Sequence, residues 1–263
     1  MSTTRRVMSS QLRNVARSPA VIGYALVLFA ITELLLQFGG SGVRALLSLV
    51  NVALTLVPLV SVVFGTLYVY NAREFIELLL AQPVGRGSLY LGLFGGLVIP
   101  LLAAFLLGVG APLAIRSLGE PEIVRPLVTL LTVGCLLTAV FTAFALCVAV
   151  LVEDRARGLG AALLVWLGCT VVYDGLILLV LTTLRDRPLE LPVLVLTFLN
   201  PIDLGRVVLL LTFDEAALMG YTGTVFERMF GTVSGLAAAF GMLALCAVVP
   251  LWLGARWFRR KDF

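Results

Sequence analysis

The sequence NAREFIELLLAQPVGRGSLYLG, residues 71–92, is a short charged segment between two long apolar runs. Its first half predicts an amphipathic helix over 73–82, because Phe75, Leu78 and Leu79 fall on one helical stripe and the charged residues lie away from it. The second half carries a proline and several glycines, which predict the end of that helix and a turn back toward the apolar phase. We interpret the segment as a helix and turn on a membrane surface, offered to another protein; the alternative is an ordinary amphipathic loop.

Composition assigns the chain to a membrane. Of its 263 residues, 60% are hydrophobic and 13% are charged, and the mean hydropathy is +1.09. Soluble domains carry about 25% charged residues, so these values indicate an integral membrane protein. The pI is near 9.1, but the basic residues lie at the ends of apolar runs, where they set orientation rather than form a nucleic-acid surface.

Six apolar stretches are long enough to span a bilayer, which takes about 20 residues. They predict an all-α integral membrane protein with six transmembrane helices in a single domain, residues 1–263. The third stretch contains Pro100 and is interpreted as one kinked helix. The stretches are Ala20–Gln37, Ala45–Tyr70, Ser88–Ile115, Pro126–Val152, Gly158–Leu184 and Val233–Ala255.

The basic residues predict that both termini of this multi-pass protein lie on the cytoplasmic side of the inner membrane. In that orientation the cytoplasmic segments hold 12 of the 19 Lys and Arg residues, and four of the other seven lie in a long outer segment, where they count least. Residues 1–19 are basic and weakly amphipathic, which predicts an interfacial helix on the anionic leaflet lipids. Residues 71–87 then form a cytoplasmic helix and turn.

The outer segment, residues 185–232, is apolar enough to form short helices that dip into the outer leaflet or lie on it. Within it, Asn200-Pro201-Ile202-Asp203 is typical of a helix start, with asparagine as the cap, proline in the first position and an acid in the third. These helices would either seal the bundle or form an outer gate or docking surface.

The motifs of an enzyme are missing from the sequence. It has no G-x-x-x-x-G-K-[ST] motif for ATP hydrolysis and no histidine to act as a base or metal ligand, and its four cysteines fall within apolar runs. We therefore predict no catalytic residue, no metal site and no cofactor in this chain. The alternative, a membrane-embedded lipid enzyme, would need clustered acids, whereas the spans carry only Glu33 and Asp174.

Glu33 and Asp174 are predicted to lie in the outer half of the bilayer, about 20 and 24 Å from the inner ends of their helices. An acid at that depth costs on the order of 3 kcal/mol unless it faces protein or a wet cavity. Each would line an outer vestibule, form an ionic latch between helices or reach toward the outer headgroups.

Several of these pieces together resemble the permeases of type-2 ABC exporters. They are the basic N-terminal helix ending at Arg17-Ser18-Pro19, the acid-containing segment leading to Leu78–Arg86, the six spans, and the basic end of the chain. Three pieces are similar to the NosY-type permease of the nitrous-oxide-reductase maturation transporter: Pro83–Gly87, Val171–Asp174, and Leu199–Asp203 with Arg206.

The resemblance implies the permease fold and a homodimer bound to two copies of a cytoplasmic ATPase, which would hold ATP and Mg²⁺. It also implies a periplasmic partner protein and a role in copper-site assembly. A general exporter of a drug, lipid or polysaccharide, or a scaffold that transmits force without transport, is the alternative. The implied ATPase contacts are Arg73, Glu74, Glu77, Leu78, Gln82, Pro83 and Arg86, and the implied outer docking residues are Asn200, Pro201, Asp203 and Arg206.

Overall fold

The computed structural model of the chain describes residues 11–12, 14–38, 42–80, 85–116, 121–183, 190–212 and 233–260. Within these ranges the chain is helical apart from short joints, and it has no strand. Two π-helical segments, Leu106–Gly110 and Gly168–Val172, interrupt longer helices. The α-helices are α1 (Pro19–Phe38), α2 (Gly42–Asn71), α3 (Arg73–Leu80), α4 (Arg86–Phe105), α5 (Ala111–Arg116), α6 (Pro121–Leu151), α7 (Arg155–Leu167), α8 (Tyr173–Thr183), α9 (Glu190–Leu199), α10 (Pro201–Thr212) and α11 (Val233–Arg260).

Six helical stretches among the described residues are long and apolar enough to cross a bilayer, which confirms the six predicted spans. They are α1, α2, α4 with α5, α6, α7 with α8, and α11. The third span is one continuous stretch, Arg86–Arg116, that passes through Pro100 as predicted. Its π-helical segment comes six residues beyond the proline, at Leu106–Gly110.

The fourth span, α6, lies at the centre of the bundle and packs against α2 and α11 along most of its length. Its side chains Leu130, Leu137 and Phe141 are completely buried. The fifth span is the opposite case, because large apolar side chains such as Leu164 and Leu179 remain exposed. In a membrane protein such a face lies against lipid or another protein.

The helix pair α9–α10 bends by 109° at its joint and folds back into the bundle instead of crossing it. At the joint, the Asn200 side chain donates a 2.7 Å hydrogen bond to the Cys169 carbonyl, which lies midway along the fifth span. Helix α10 is buried against α6 and α2, and a Cβ at Gly205 would lie 2.9 Å from Val133 Cγ1. The predicted short helices are therefore present, and the pair enters the bundle to about half its depth.

Contacts near the two ends of the chain occur at the same end of the bundle. Tyr68, near the end of α2, donates a hydrogen bond to the Gln11 side-chain oxygen. Arg86, at the start of α4, donates one to the Arg259 carbonyl near the end of α11. An even number of crossings, with the α9–α10 pair re-entering on its own side, produces this arrangement.

Candidate functional site

Helix α3 is amphipathic as predicted, and Leu79 of the predicted apolar stripe packs against the core. Ile76 is the buried residue, at 2% exposure, whereas Phe75 is 38% and Leu78 is 70% exposed. The reason is that α3 continues the hydrogen bonding of α2: the Ala72 N–H bonds to the Tyr68 carbonyl, and the Ile76 N–H to the Ala72 carbonyl, each at 2.9 Å. The packed face of α2 therefore runs on through Ile76.

The opposite side of α3 forms an exposed surface that we call the acidic–apolar face, made of Glu74, Phe75, Glu77 and Leu78. Positions three and four apart lie side by side on a helix, so Glu74 adjoins Glu77 and Leu78, and Phe75 adjoins Leu78. Acids are repelled by the anionic lipids of a cytoplasmic leaflet. The mixture favours contact with a protein rather than with lipid.

Two arginines of this segment connect helices at the surface of the bundle. The Arg73 side chain lies 3.2 Å from the Glu77 carboxylate and donates a 3.3 Å hydrogen bond to the Glu153 carbonyl, beyond the end of α6. Arg86 is half-buried and donates a 3.1 Å hydrogen bond to the Arg259 carbonyl. Gln82 and Pro83 lie outside the described residues.

Sequence reasoning missed the joint between the fourth and fifth spans. The Tyr70 hydroxyl donates a 2.8 Å hydrogen bond to the Val152 carbonyl, and a Cβ at Gly158 would lie 1.8 Å from that hydroxyl oxygen. Asp154 caps α7 by accepting a 2.8 Å hydrogen bond from the Arg157 N–H. An aspartate directly before an apolar helical run is a helix-capping signal, so Asp154 could have been recognised from the sequence.

A second group of polar side chains lies inside the bundle, at the contact of α8 with α10. Arg206 Nη1 is 3.2 Å from Asp174 Oδ1 and 3.2 Å from Asp203 Oδ1, so one guanidinium serves two acids. Asn200 donates a 2.7 Å hydrogen bond to Asp203 and accepts a 3.2 Å one from the Ile202 N–H, which confirms the predicted helix cap. Mutual pairing offsets much of the cost of placing these charges at membrane depth.

This polar cluster contacts the π-helical segment of the fifth span. The Cys169 carbonyl that accepts from Asn200 belongs to Gly168–Val172. π-Helical segments inside α-helices are frequent at functional sites. The cluster therefore connects the middle of the fifth span to the start of α10.

Burial changes the interpretation of the predicted outer docking residues. Asn200 is 1% and Asp203 5% exposed, and Pro201 is buried as well. These three side chains leave no exposed surface for a partner, and Arg206 is the partly exposed member of the group. The predicted docking role of these four residues did not take into account that α10 returns into the bundle.

Glu33 lies at the end of the bundle opposite α3. Its carboxylate is 2.7 Å from Arg116 Nη2, which joins the first span to the end of the third. The ion pair is partly exposed. Among the described residues, no group of three histidine, cysteine, aspartate or glutamate side chains could hold a metal ion.

Six apolar spans, a short surface helix between the second and third, and no strand in the described ranges define an all-helical, multi-pass membrane protein. The sequence matches the model of the ABC-2 family transporter proteins over residues 52–263, and the chain belongs to that family. It is therefore a multi-pass protein of the inner membrane, and an ABC permease works with an ATPase subunit.

Two curated relatives are named "Probable ABC transporter permease protein NosY". The one from Pseudomonas aeruginosa is 32% identical over 236 residues, which cover 86% of this chain and 83% of the relative. The one from Stutzerimonas stutzeri is 32% identical over 231 residues, covering 84% and 76%. The predicted resemblance to type-2 ABC permeases and to the NosY type is confirmed.

Proposed function

We propose that this chain is a permease subunit whose acidic–apolar face receives a separate cytoplasmic ATPase that binds ATP and Mg²⁺. The observation that carries the proposal is the exposure of Phe75 and Leu78 beside two acids on a helix that is anchored by Ile76. A rigidly held helix with an exposed mixed surface transmits a push better than a loose loop does. In the orientation that places the acidic–apolar face in the cytoplasm, both termini lie in the cytoplasm as well.

The connections of α3 define where such a push would go. Two backbone hydrogen bonds through Ala72 pass it to α2, and Arg73 passes it to the segment after α6 through the Glu153 carbonyl. Arg86 links the start of α4 to the end of α11. Movement of α3 would therefore rock the second and fourth spans first, with the third and sixth following as a second unit.

We extend the proposal to a homodimer that acts in copper-site maturation of nitrous oxide reductase together with a periplasmic partner. The NosY name of the two relatives supports this assignment. The sequence contains no histidine, so copper itself would be handled by the partner. Because Asn200 and Asp203 are buried, we propose that the periplasmic partner binds other outer residues. Of the predicted docking residues, Arg206 is exposed enough to contact that partner.

The ATPase contact is tested by reversing both charges of the acidic–apolar face. In the Glu74→Lys/Glu77→Lys variant, we expect the ATPase activity of the reconstituted complex to fall at least about tenfold, because reversed charges at a docking surface cost more than 1.4 kcal/mol. Membrane insertion should be unchanged, since both side chains are exposed.

The matched control is Arg125→Glu, which reverses an exposed charge at the opposite end of the bundle. That variant should keep normal ATPase activity. Normal activity in the Glu74→Lys/Glu77→Lys variant, with both subunits present in equal amounts, would remove α3 from the docking surface.

A further inference from the structure

An open cavity of about 530 Å³ lies between the ends of α6 and α11, at the same end of the bundle as α3. It has an apolar floor from the end of α6 and a strongly basic wall from α11. Two arginines and one acid line it, so its side chains carry a net charge of +1. The lining residues are Val150, Leu151, Glu153, Arg256, Trp257 and Arg260.

The basic wall continues an exposed stripe along α11. Leu245, Val249, Trp252, Arg256 and Arg260 recur every three or four residues and therefore share one side of the helix. All five are exposed, and the Arg256 guanidinium lies 5.6 Å from the centre of the Trp252 ring. The stripe changes from aliphatic to aromatic to cationic toward the end of the span.

That sequence of side chains matches the layers of one membrane leaflet. Aliphatic residues face acyl chains, tryptophan prefers the headgroup boundary, and arginine binds phosphate oxygens through its planar fork. Basic pockets between transmembrane helices are known binding sites for anionic headgroups. A soluble anion would use the two arginines but gain nothing from the apolar half of the stripe.

We propose that this cavity binds the phosphate headgroup of an anionic glycerophospholipid, with the acyl chains along Leu245 and Val249. Arg256 and Arg260 hold the phosphate, and Trp252 and Trp257 flank the glycerol region. The lipid would bridge α11 and the segment after α6. The arginines and tryptophans of this site lie outside the acidic–apolar face, and Glu153 is the lining residue that also contacts Arg73 of α3.

The test uses the full chain in vesicles that contain either brominated phosphatidylglycerol or brominated phosphatidylcholine, and it measures quenching of tryptophan fluorescence. The chain has three tryptophans, and a Trp252→Phe/Trp257→Phe variant gives the background from Trp166. A net charge of +1 beside an anionic lipid contributes about 1 kcal/mol, so we expect roughly a fivefold preference for phosphatidylglycerol. The Arg256→Gln/Arg260→Gln variant should lose it.

The matched control is Arg155→Gln/Arg157→Gln, which removes two exposed charges at the same end of the bundle but outside the cavity. It should keep the preference. Equal quenching by the two lipids in the unaltered chain, or equal loss in both double variants, would overturn the proposal. So would displacement of the lipid by inorganic phosphate at constant ionic strength, or weaker binding of the ATPase subunit to the Arg256→Gln/Arg260→Gln variant with the lipid preference intact.

Discussion

The side-chain amide of Asn200 forms hydrogen bonds with three other residues. Its Oδ1 caps α10, and its Nδ2 is shared between the Asp203 carboxylate and the Cys169 carbonyl. The residue is almost fully buried, so water cannot replace these bonds. A side chain without an amide would leave acceptors unsatisfied at membrane depth, which costs about 1–3 kcal/mol for each group.

We therefore expect Asn200→Ala to destabilise the purified chain by about 2–5 kcal/mol, combining the lost cap with the unsatisfied acceptors. Thermal unfolding in detergent measures the change. Asn71→Ala is the control, because Asn71 is exposed at the end of α2, and it should unfold within about 0.5 kcal/mol of the unaltered chain. A similar unfolding temperature for both variants would contradict the assigned role.

Local sequence predicted part of this residue's role and could not predict the rest. The cap follows from Asn200-Pro201-Ile202-Asp203, because capping involves neighbours along the chain. The bond to the Cys169 carbonyl joins residues 31 apart and depends on how α10 packs. For the same reason Arg206 was assigned to an outer surface, although it pairs with Asp174.

At the scale of elements, close packing of the first span against the third depends on a glycine in a π-helical segment. A Cβ at Gly108 would lie 2.7 Å from Leu28 Cβ and 2.9 Å from the Ala25 carbonyl oxygen. Both contacts are with atoms that cannot move unless α1 moves. The sequence predicted both spans but contained no signal for this approach.

Gly108→Ala should separate α1 from the third span and destabilise the chain by about 1–3 kcal/mol, the usual cost of an overpacked contact. Gly241→Ala is the matched control, since no described atom lies within 4 Å of its added Cβ. Alanine there should be neutral or stabilise α11 by up to about 1 kcal/mol. Equal unfolding temperatures for the two variants would show that α1 yields without cost.

Helix α3 illustrates how an element can be predicted correctly while its most buried residue, Ile76, is left out of the predicted stripe. The apolar spacing of 73–82 fits more than one stripe, and Phe75 with Leu78 is as regular as Ala72 with Ile76. The choice is made by α2, whose hydrogen bonding continues into α3. The apolar spacing of residues 73–82 alone cannot show how α3 is joined to α2.

At the scale of the whole molecule, the six spans were predictable because a bilayer demands long apolar helices. Once the spans were known, each arginine could be assigned to one end of the bundle. The described arginines are distributed unequally between the two ends of the bundle. This excess at the α3 end favours a cytoplasmic location for it. The α3 end has Arg17, Arg73, Arg86, Arg155, Arg157, Arg256, Arg259 and Arg260, and the opposite half has Arg44, Arg116, Arg125 and Arg206.

Cysteine labelling of intact cells tests this orientation. Glu74 and Ile115 are exposed at opposite ends of the bundle, and the native cysteines lie within spans. With a membrane-impermeant maleimide, the Ile115→Cys variant should react in intact cells, and the Glu74→Cys variant should react only after permeabilisation. The unaltered chain provides the background from native thiols. Labelling of the Glu74→Cys variant in intact cells would show the opposite orientation, in which α3 lies outside the cell and cannot contact a cytoplasmic ATPase.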